Sequence, residues 1–300
     1  MYLQHFGLAT APFSLTPNTS FFFGLAPHVE ALQVLHTALV GGEGFIKVTG
    51  EVGTGKTLIC RKLLNDMAHQ FACVYLPNPY LSPQELRWAV ACELGFSYSA
   101  KVDQQQLIQL IHEKLLSLAE QGKRAVIVVD EAQALPDESL EALRLFTNLE
   151  TETSKLLQVV LLGQPELDQR LAQDKFRQLR QRIGFSYQLR PLTEAEIHGY
   201  VEHRLKVAGW QGGAVFEKGQ IRQLYKASRG IPRLVNLLCH KGLLLAYGAG
   251  VRRVSAKQLK AAIADTEDAN SPMSLRAPVL GLTLGLAAAV LWYWLQGSAL

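Results

Sequence analysis

Between residues 44 and 189 short apolar runs alternate with longer segments whose apolar positions recur every three or four residues. The runs Gly44–Thr49, Ala72–Leu76, Ala125–Val129, Leu156–Leu162 and Phe185–Leu189 predict five strands. AVIVV has no polar alternate and LLQVVLL a single glutamine, the pattern of strands buried on both faces of a parallel sheet. Helices are predicted over Gly55–Gln70, from Ser82 toward Leu94, over Gln104–Gln121 and over Glu138–Leu149. Ser82-Pro83-Gln84-Glu85 is a capping box with proline at the first helical position. Strands alternating with helices predict an α/β fold with right-handed crossovers. After Thr193 only helical periods remain: Thr193 to about Ala208, Phe216–Ser228, Pro232–Tyr247 and Ser255–Asp265. These patterns divide the chain into an α/β core (1–192), a small all-α domain (193–266) and a polar linker (267–276).

The pattern changes once more at Ala277. APVLGLTLGLAAAVLWYWL, residues 277–295, has no charged side chain and would measure about 28 Å as a helix. That length, with Trp292, Tyr293 and Trp294 at one end, predicts a transmembrane helix followed by a short tail, 296–300. A buried C-terminal core helix is the alternative. Every Lys and Arg precedes the span, so residues 1–276 are expected in the cytoplasm, and the N-terminus shows no signal peptide. Gly281, Gly285 and Ala289 form a small-residue stripe that would suit helix pairing.

Composition adds exclusions. With 300 residues, 48% hydrophobic and 19% charged, the chain is neither disordered nor, with four scattered cysteines, a disulfide scaffold. The net charge of +4 conceals a partition. Residues 1–203 carry 17 Lys+Arg against 22 Asp+Glu, whereas residues 204–260 carry 12 against Glu217 alone. So basic a segment, tied by a short linker to the predicted span, points to anionic lipid or an acidic partner domain. Nucleic acid is the less favoured partner.

The candidate chemistry lies at strand ends. Gly50-Glu51-Val52-Gly53-Thr54-Gly55-Lys56-Thr57 is a complete G-x-x-x-x-G-K-[ST] loop between a predicted strand and a predicted helix. Its backbone N–H groups and the helix N-terminus suit phosphate, Lys56 the β- and γ-phosphates, and Thr57 a Mg²⁺ ion. Asp130-Glu131 ends the apolar strand 125–129, where an acidic pair suits Mg²⁺ coordination by Asp130, partly through water, and water activation by Glu131. ATP with Mg²⁺ is the expected ligand.

A P-loop, an acidic strand end and a helical domain in this order resemble an AAA+ ATPase. FGLATAPFSLTPNTSFFF, GEVGTGKT, VVDEAQ, LLGQPEL, LRQRI and GIPRLVN, spread over residues 6–238, make the chain look like the general secretion pathway A and MSHA pilus biogenesis ATPase family. The resemblance implies a P-loop AAA+ core with a helical lid, and three further roles. Gln164 stands at sensor 1. Arg182 stands at the finger that reaches a neighbouring subunit's γ-phosphate, with Arg180 as the substitute. Arg233 stands at sensor 2. A finger acting in trans implies a homo-oligomer, and the family implies a membrane-tethered, hydrolysing ATPase in the bacterial inner membrane. It would work with a membrane partner in assembly of a type IV (MSHA-type) pilus or related secretion machine. General secretion pathway A relatives carry a periplasmic peptidoglycan-binding region after the span. The given sequence has five residues there, so direct cell-wall binding is not expected. A DNA-binding ATPase of the transposition-regulator type and a non-hydrolysing nucleotide switch remain the alternatives. Whether Phe6–Phe23 packs on the base, on a neighbouring subunit or within the core is left open by its periodicity.

Overall fold

The computed structural model describes residues 2–99, 102–151 and 154–270. Two helices precede the sheet, α1 (Tyr2–Phe6) and α2 (Ala26–Gly41). The α/β core then runs β1 (Phe45–Gly50), α3 (Lys56–Met67), β2 (Phe71–Leu76), α4 (Pro83–Glu93), α5 (Gln104–Glu120), β3 (Arg124–Val129), α6 (Asp137–Phe146), β4 (Leu157–Gly163), α7 (Pro165–Leu171), α8 (Arg177–Arg182) and β5 (Ile183–Leu189). The helical domain comprises α9 (Glu194–Val207), α10 (Lys218–Ser228), α11 (Pro232–Gly248), α12 (Ala256–Ala264) and α13 (Glu267–Asn270).

The five strands pair in parallel in the order β2-β3-β4-β1-β5. Side-chain alternation splits the core into two layers. Ala125, Ile127 and Val129 of β3 pack with Leu157, Val159 and Leu161 of β4 beneath α4 to α7. Val126, Val128, Val160 and Leu162 face the other way, with Ile46 and Val48 of β1, onto α2 and α3. Burial on both faces is why these strands read as unbroken apolar runs. The order has a direct consequence for function. The C-terminal ends of β3, β4 and β1 lie side by side, in registers Val129↔Leu161 and Thr49↔Gly163, roughly 4.8 Å apart per strand. Whatever follows those three strands must converge.

A third apolar cluster fills the helical domain, and its membership redraws one expected boundary. Phe6, Leu8, Phe13, Phe21 and Leu25 are buried with Ile197, Leu224, Val235, Leu243 and Leu259. Residues 2–25 thus pack with the helical domain, not with the sheet, because their aromatic side chains fill its core. Ala9 N donates to the Ala208 carbonyl at 2.8 Å. The expected linker is shorter too: residues 267–270 form α13, with Ala269 packed on this cluster. The predicted span, 277–295, lies outside the described residues.

The hinge between the two parts is tightly built. Gly230 has φ +78°, and a Cβ there would sit 2.2 Å from the Leu192 carbonyl oxygen. Leu192 N donates to the Gly230 carbonyl at 2.8 Å. Gly230→Ala is therefore expected to cost about 1–3 kcal/mol, a fall of roughly 3–10 °C in Tm; an unchanged Tm in a thermal melt would refute this close approach. Beside it, Arg190 donates twice to the Glu196 carboxylate, at 2.8 and 2.9 Å, and Thr193 and Glu196 form the capping box of α9. The Arg190 guanidinium is the main cause that holds Glu196 down at about 2, against an ordinary 4.5. A depressed carboxyl stabilises the fold above its unfolded value and loses that contribution as pH falls through the folded one. Denaturant titrations are expected to show stability declining between about pH 4.5 and 2, with Glu196→Gln flattening that part of the decline.

Candidate nucleotide site

The loop after β1 is shaped by two glycines in the left-handed region, Gly53 at φ +83° and Gly55 at φ +105°. Both also permit close approaches. A Cβ on Gly53 would meet the Arg233 Cβ at 2.6 Å, and one on Gly55 would meet His28 Nε2 at 3.0 Å. His28, buried on α2, has its Nε2 2.8 Å from the Thr54 carbonyl, so the Nε2–H tautomer donates to the loop. Burial lowers its pKa, which favours the neutral ring. Thr54 Oγ1 donates to the Glu51 carbonyl at 2.8 Å. The Lys56 ammonium donates to the carbonyls of Gly50 at 2.8 Å and Glu51 at 3.1 Å. Burial lowers the Lys56 pKa, although the Glu131 and Asp130 carboxylates oppose that shift.

The acidic pair meets this loop across β4. Thr57 Oγ1 donates to Asp130 Oδ2 at 2.7 Å, and the Glu131 amide donates to Asp130 Oδ1 at 3.0 Å. Burial pushes the Asp130 carboxyl up, with the Thr57 hydroxyl opposing. Glu131 takes a left-handed backbone, φ 52°, uncommon for a residue with a side chain and a feature that turns its carboxylate toward the cleft wall. Its Oε2 accepts from Gln133 Nε2 at 2.7 Å and Gln164 Nε2 at 3.0 Å. Burial raises this carboxyl, but the Gln164 and Gln133 amides and the Lys56 charge outweigh it and bring the pKa below the usual value. Gln164 precedes Pro165 at the start of α7, and its backbone N–H donates to Gln133 Oε1 at 2.9 Å. Arg170 holds the same loop, donating to the Gln133 carbonyl and pairing with Asp137.

The helical domain closes the cleft from the opposite side. Arg233 sits in the first turn of α11, its amide donating to the Gly53 carbonyl at 3.2 Å and its exposed side chain lining the cleft. Residues 14–18, Phe21, Phe23 and His28 line the cleft too, with Tyr200, Arg204 and Asn236. Those last three form a buried chain: Arg204 Nη1 donates to the Tyr200 hydroxyl at 2.9 Å, which donates to Asn236 Oδ1 at 3.0 Å. Arg204 also donates to the Pro12 carbonyl and lies 4.9 Å from the Phe21 ring centroid. It is therefore unavailable to an outside partner, although it belongs to the basic segment.

The structure thus brings together Gly50 to Thr57, Asp130, Glu131, Gln164 and Arg233. Arg182 lies outside this cleft, at the end of α8. Its Nη1 donates to the Arg144 carbonyl at 3.2 Å and Thr147 Oγ1 at 2.9 Å, where α6 ends. Arg180 is exposed and donates to the carbonyls of Leu171 and Ala172. His28, Gln133, Tyr200, Arg204 and Asn236 carry no sequence signal of their own. Gln133 and Asn236 do fall in motifs, as the last residues of VVDEAQ and GIPRLVN, but neither motif gives them a role.

Residues 39–171 match the AAA domain family AAA_22. The chain is 40% identical over 299 residues to General secretion pathway protein A of Aeromonas hydrophila. The chain belongs to the AAA+ ATPases of the general secretion pathway A type. The match covers 98% of the chain and 54% of that relative, so the chain spans about half the relative's length. Three solved structures share the fold of this AAA+ chain. Cdc6p from Pyrobaculum aerophilum has a TM-score of 0.63 at 19% identity, covering 82% of this chain and 70% of its own. The Aeropyrum pernix ORC2 protein in ADPNP–ADP complexes has 0.60 at 15%, covering 84% and 72%. The RuvB Holliday junction branch migration motor of Thermotoga maritima has 0.53 at 15%, covering 81% and 70%. Among the described residues of this AAA+ chain no helix is long and apolar enough to cross a membrane.

Proposed function

We propose that this chain is a membrane-tethered ATPase that binds and hydrolyses ATP as a homo-oligomer to assist assembly of a type IV (MSHA-type) pilus or related secretion machine. Its place would be the bacterial inner membrane, crossed once by residues 277–295, with the ATPase part cytoplasmic. The name of the 40% identical relative supports the secretion setting. The observation that carries the chemistry is the convergence of the loop after β1, Asp130-Glu131 after β3 and Gln164 after β4.

Mg²⁺ fits the donor set, since the bonded oxygens of Thr57 and Asp130 are hard ligands beside a phosphate loop and this ion keeps waters and phosphates as its other ligands. When bound, it neutralises phosphate charge. Lys56, now on two loop carbonyls, would turn to the phosphates. Glu131, held ionised by two amides and the lysine charge, is suited to take the proton of an attacking water. Gln164 would orient that water, and Arg233 would touch the nucleotide from the lid.

Phosphate release from ATP and Mg²⁺ by the full chain tests this function. Lys56→Ala removes a charge-assisted contact worth about 1.5–3 kcal/mol, so ATP binding should weaken roughly 10- to 150-fold. Binding without phosphate release above the Lys56→Ala background would leave a nucleotide switch and sink the enzyme assignment.

A further inference from the structure

One end of the helical domain exposes apolar side chains inside a field of positive charge. Near the end of α11 and in the loop after it, Leu244, Leu245, Tyr247 and Val251 are 43, 40, 37 and 43% exposed. Exposed Arg252 and Arg253 follow on the same loop, and exposed Lys257 stands in the first turn of α12. Gln258 Nε2 donates to the Leu245 carbonyl at 3.3 Å, which sets that turn against the end of α11. No carboxylate occurs anywhere between Glu217 and Asp265. Scattered exposed leucines need no explanation, but large apolar side chains beside Arg252, Arg253 and Lys257, with the Asp265 carboxylate already paired to Lys241 at 2.8 Å, form a surface with a definite complement.

The chain leaves the described structure close by. Lys241, one turn before Leu244 and Leu245, donates to the Asp265 carbonyl at 2.6 Å and Thr266 Oγ1 at 2.9 Å, and α13 ends at Asn270. From Asn270 to Ala277, where the uncharged stretch begins, the backbone reaches at most about 25 Å. A membrane-embedded stretch would hold this end of α11 near the headgroups. An apolar tip with arginines and a tyrosine beside it suits the interface, where each cation near an anionic surface gains about 1 kcal/mol and aliphatic side chains enter the acyl boundary.

We propose that the C-terminal end of α11, its following loop and the first turn of α12 dock on the anionic headgroups of the bilayer that tethers the chain. The proposal rests on the membrane-tether reading for its proximity, not for its chemistry. The other end of α11 meets the nucleotide loop through Arg233 and Gly53, so a single 17-residue helix, about 25 Å long, connects the cleft with the docking face.

The test is amide hydrogen exchange of residues 244–254 in the full chain. The chain is reconstituted into vesicles of phosphatidylcholine, or of phosphatidylcholine with about a third phosphatidylglycerol. Exchange is expected to slow about tenfold with the anionic lipid only, corresponding to roughly 1.4 kcal/mol. High salt and the exposed pair Arg252→Glu/Arg253→Glu should each restore fast exchange. Equal exchange in both lipids, with the chain membrane-bound, overturns the proposal. Protection of the same segment by duplex DNA but not by anionic vesicles overturns it in favour of nucleic acid. Flotation with neutral vesicles after an alkaline wash reads the tether separately. Failure there, with salt-sensitive flotation and protection on anionic vesicles, would remove the tether and keep the docking face.

Discussion

Glu131→Gln is expected to bind ATP as tightly as the parent chain and to release phosphate about 10²–10⁴-fold more slowly. The substitution keeps the side chain's length and shape while removing the charge that accepts a proton. Its surroundings make the outcome specific. The carboxylate is held below its usual pKa by the Gln133 and Gln164 amides and by Lys56, so the parent enters the reaction ionised at neutral pH. In the proposed binding mode phosphate contacts would fall to the loop 50–57 instead, which the substitution leaves untouched. Binding of a fluorescent ATP analogue and a phosphate-release assay, run on the same preparation, separate the two quantities. Parental turnover in the variant would remove Glu131 from the chemistry. Loss of binding in parallel with turnover would make it a structural support of the loop.

Arg182→Ala is expected to lose about 10³–10⁵ in turnover with binding unchanged, the range of an arginine that stabilises transferred phosphoryl charge from a neighbouring subunit. In its own subunit the guanidinium caps the end of α6 on the Arg144 carbonyl and Thr147 and lines no part of the cleft, so its loss should not disturb that subunit's nucleotide. The helix-end contact itself accounts for about 0.3–1 kcal/mol of stability, small enough to check by a melting curve. Mixing Arg182→Ala with Lys56→Ala supplies the decisive arm. One variant retains a working cleft and the other a working finger, so hybrid interfaces should recover part of the activity neither shows alone. Full activity of purified Arg182→Ala would sink the assignment, and parallel loss in Arg180→Ala alone would transfer it to that residue.

What the chain discloses before folding is uneven, for physical reasons. The strands β3 and β4 are legible because burial on both faces leaves little room for polar residues, and the capped starts of α4 and α9 because serine or threonine with glutamate three positions later has one dominant use. The phosphate loop and Asp130-Glu131 are legible because each role needs a fixed residue type at a fixed spacing. By contrast α2 is not legible: its apolar positions surround much of the helix, with Val40 exposed and Leu35 buried, so no clear stripe marks it. The roles of His28, Tyr200 and Asn236 escape notice for another reason, although Asn236 ends the GIPRLVN motif. Each acts through a partner distant in sequence, as Asn236 does through Tyr200, and such pairs leave no local period. The position of residues 2–25 depends on contacts with residues beyond 190, which no window along the chain contains.

That last arrangement shapes how the protein must be made. The sheet needs nothing beyond Leu189, whereas Phe13 stacks edge-on to Phe216, ring centroids 6.4 Å apart, across two hundred positions of sequence. At about 5–20 residues per second, the leading aromatic segment emerges from the ribosome roughly 10–40 s before that partner exists. During this interval the α/β core can close while Phe6, Phe13 and Phe21 stay uncovered, an unsatisfied apolar ribbon on a nascent chain. The helical domain then folds last and around its own beginning, so chaperone demand during synthesis should concentrate on those first twenty-five residues.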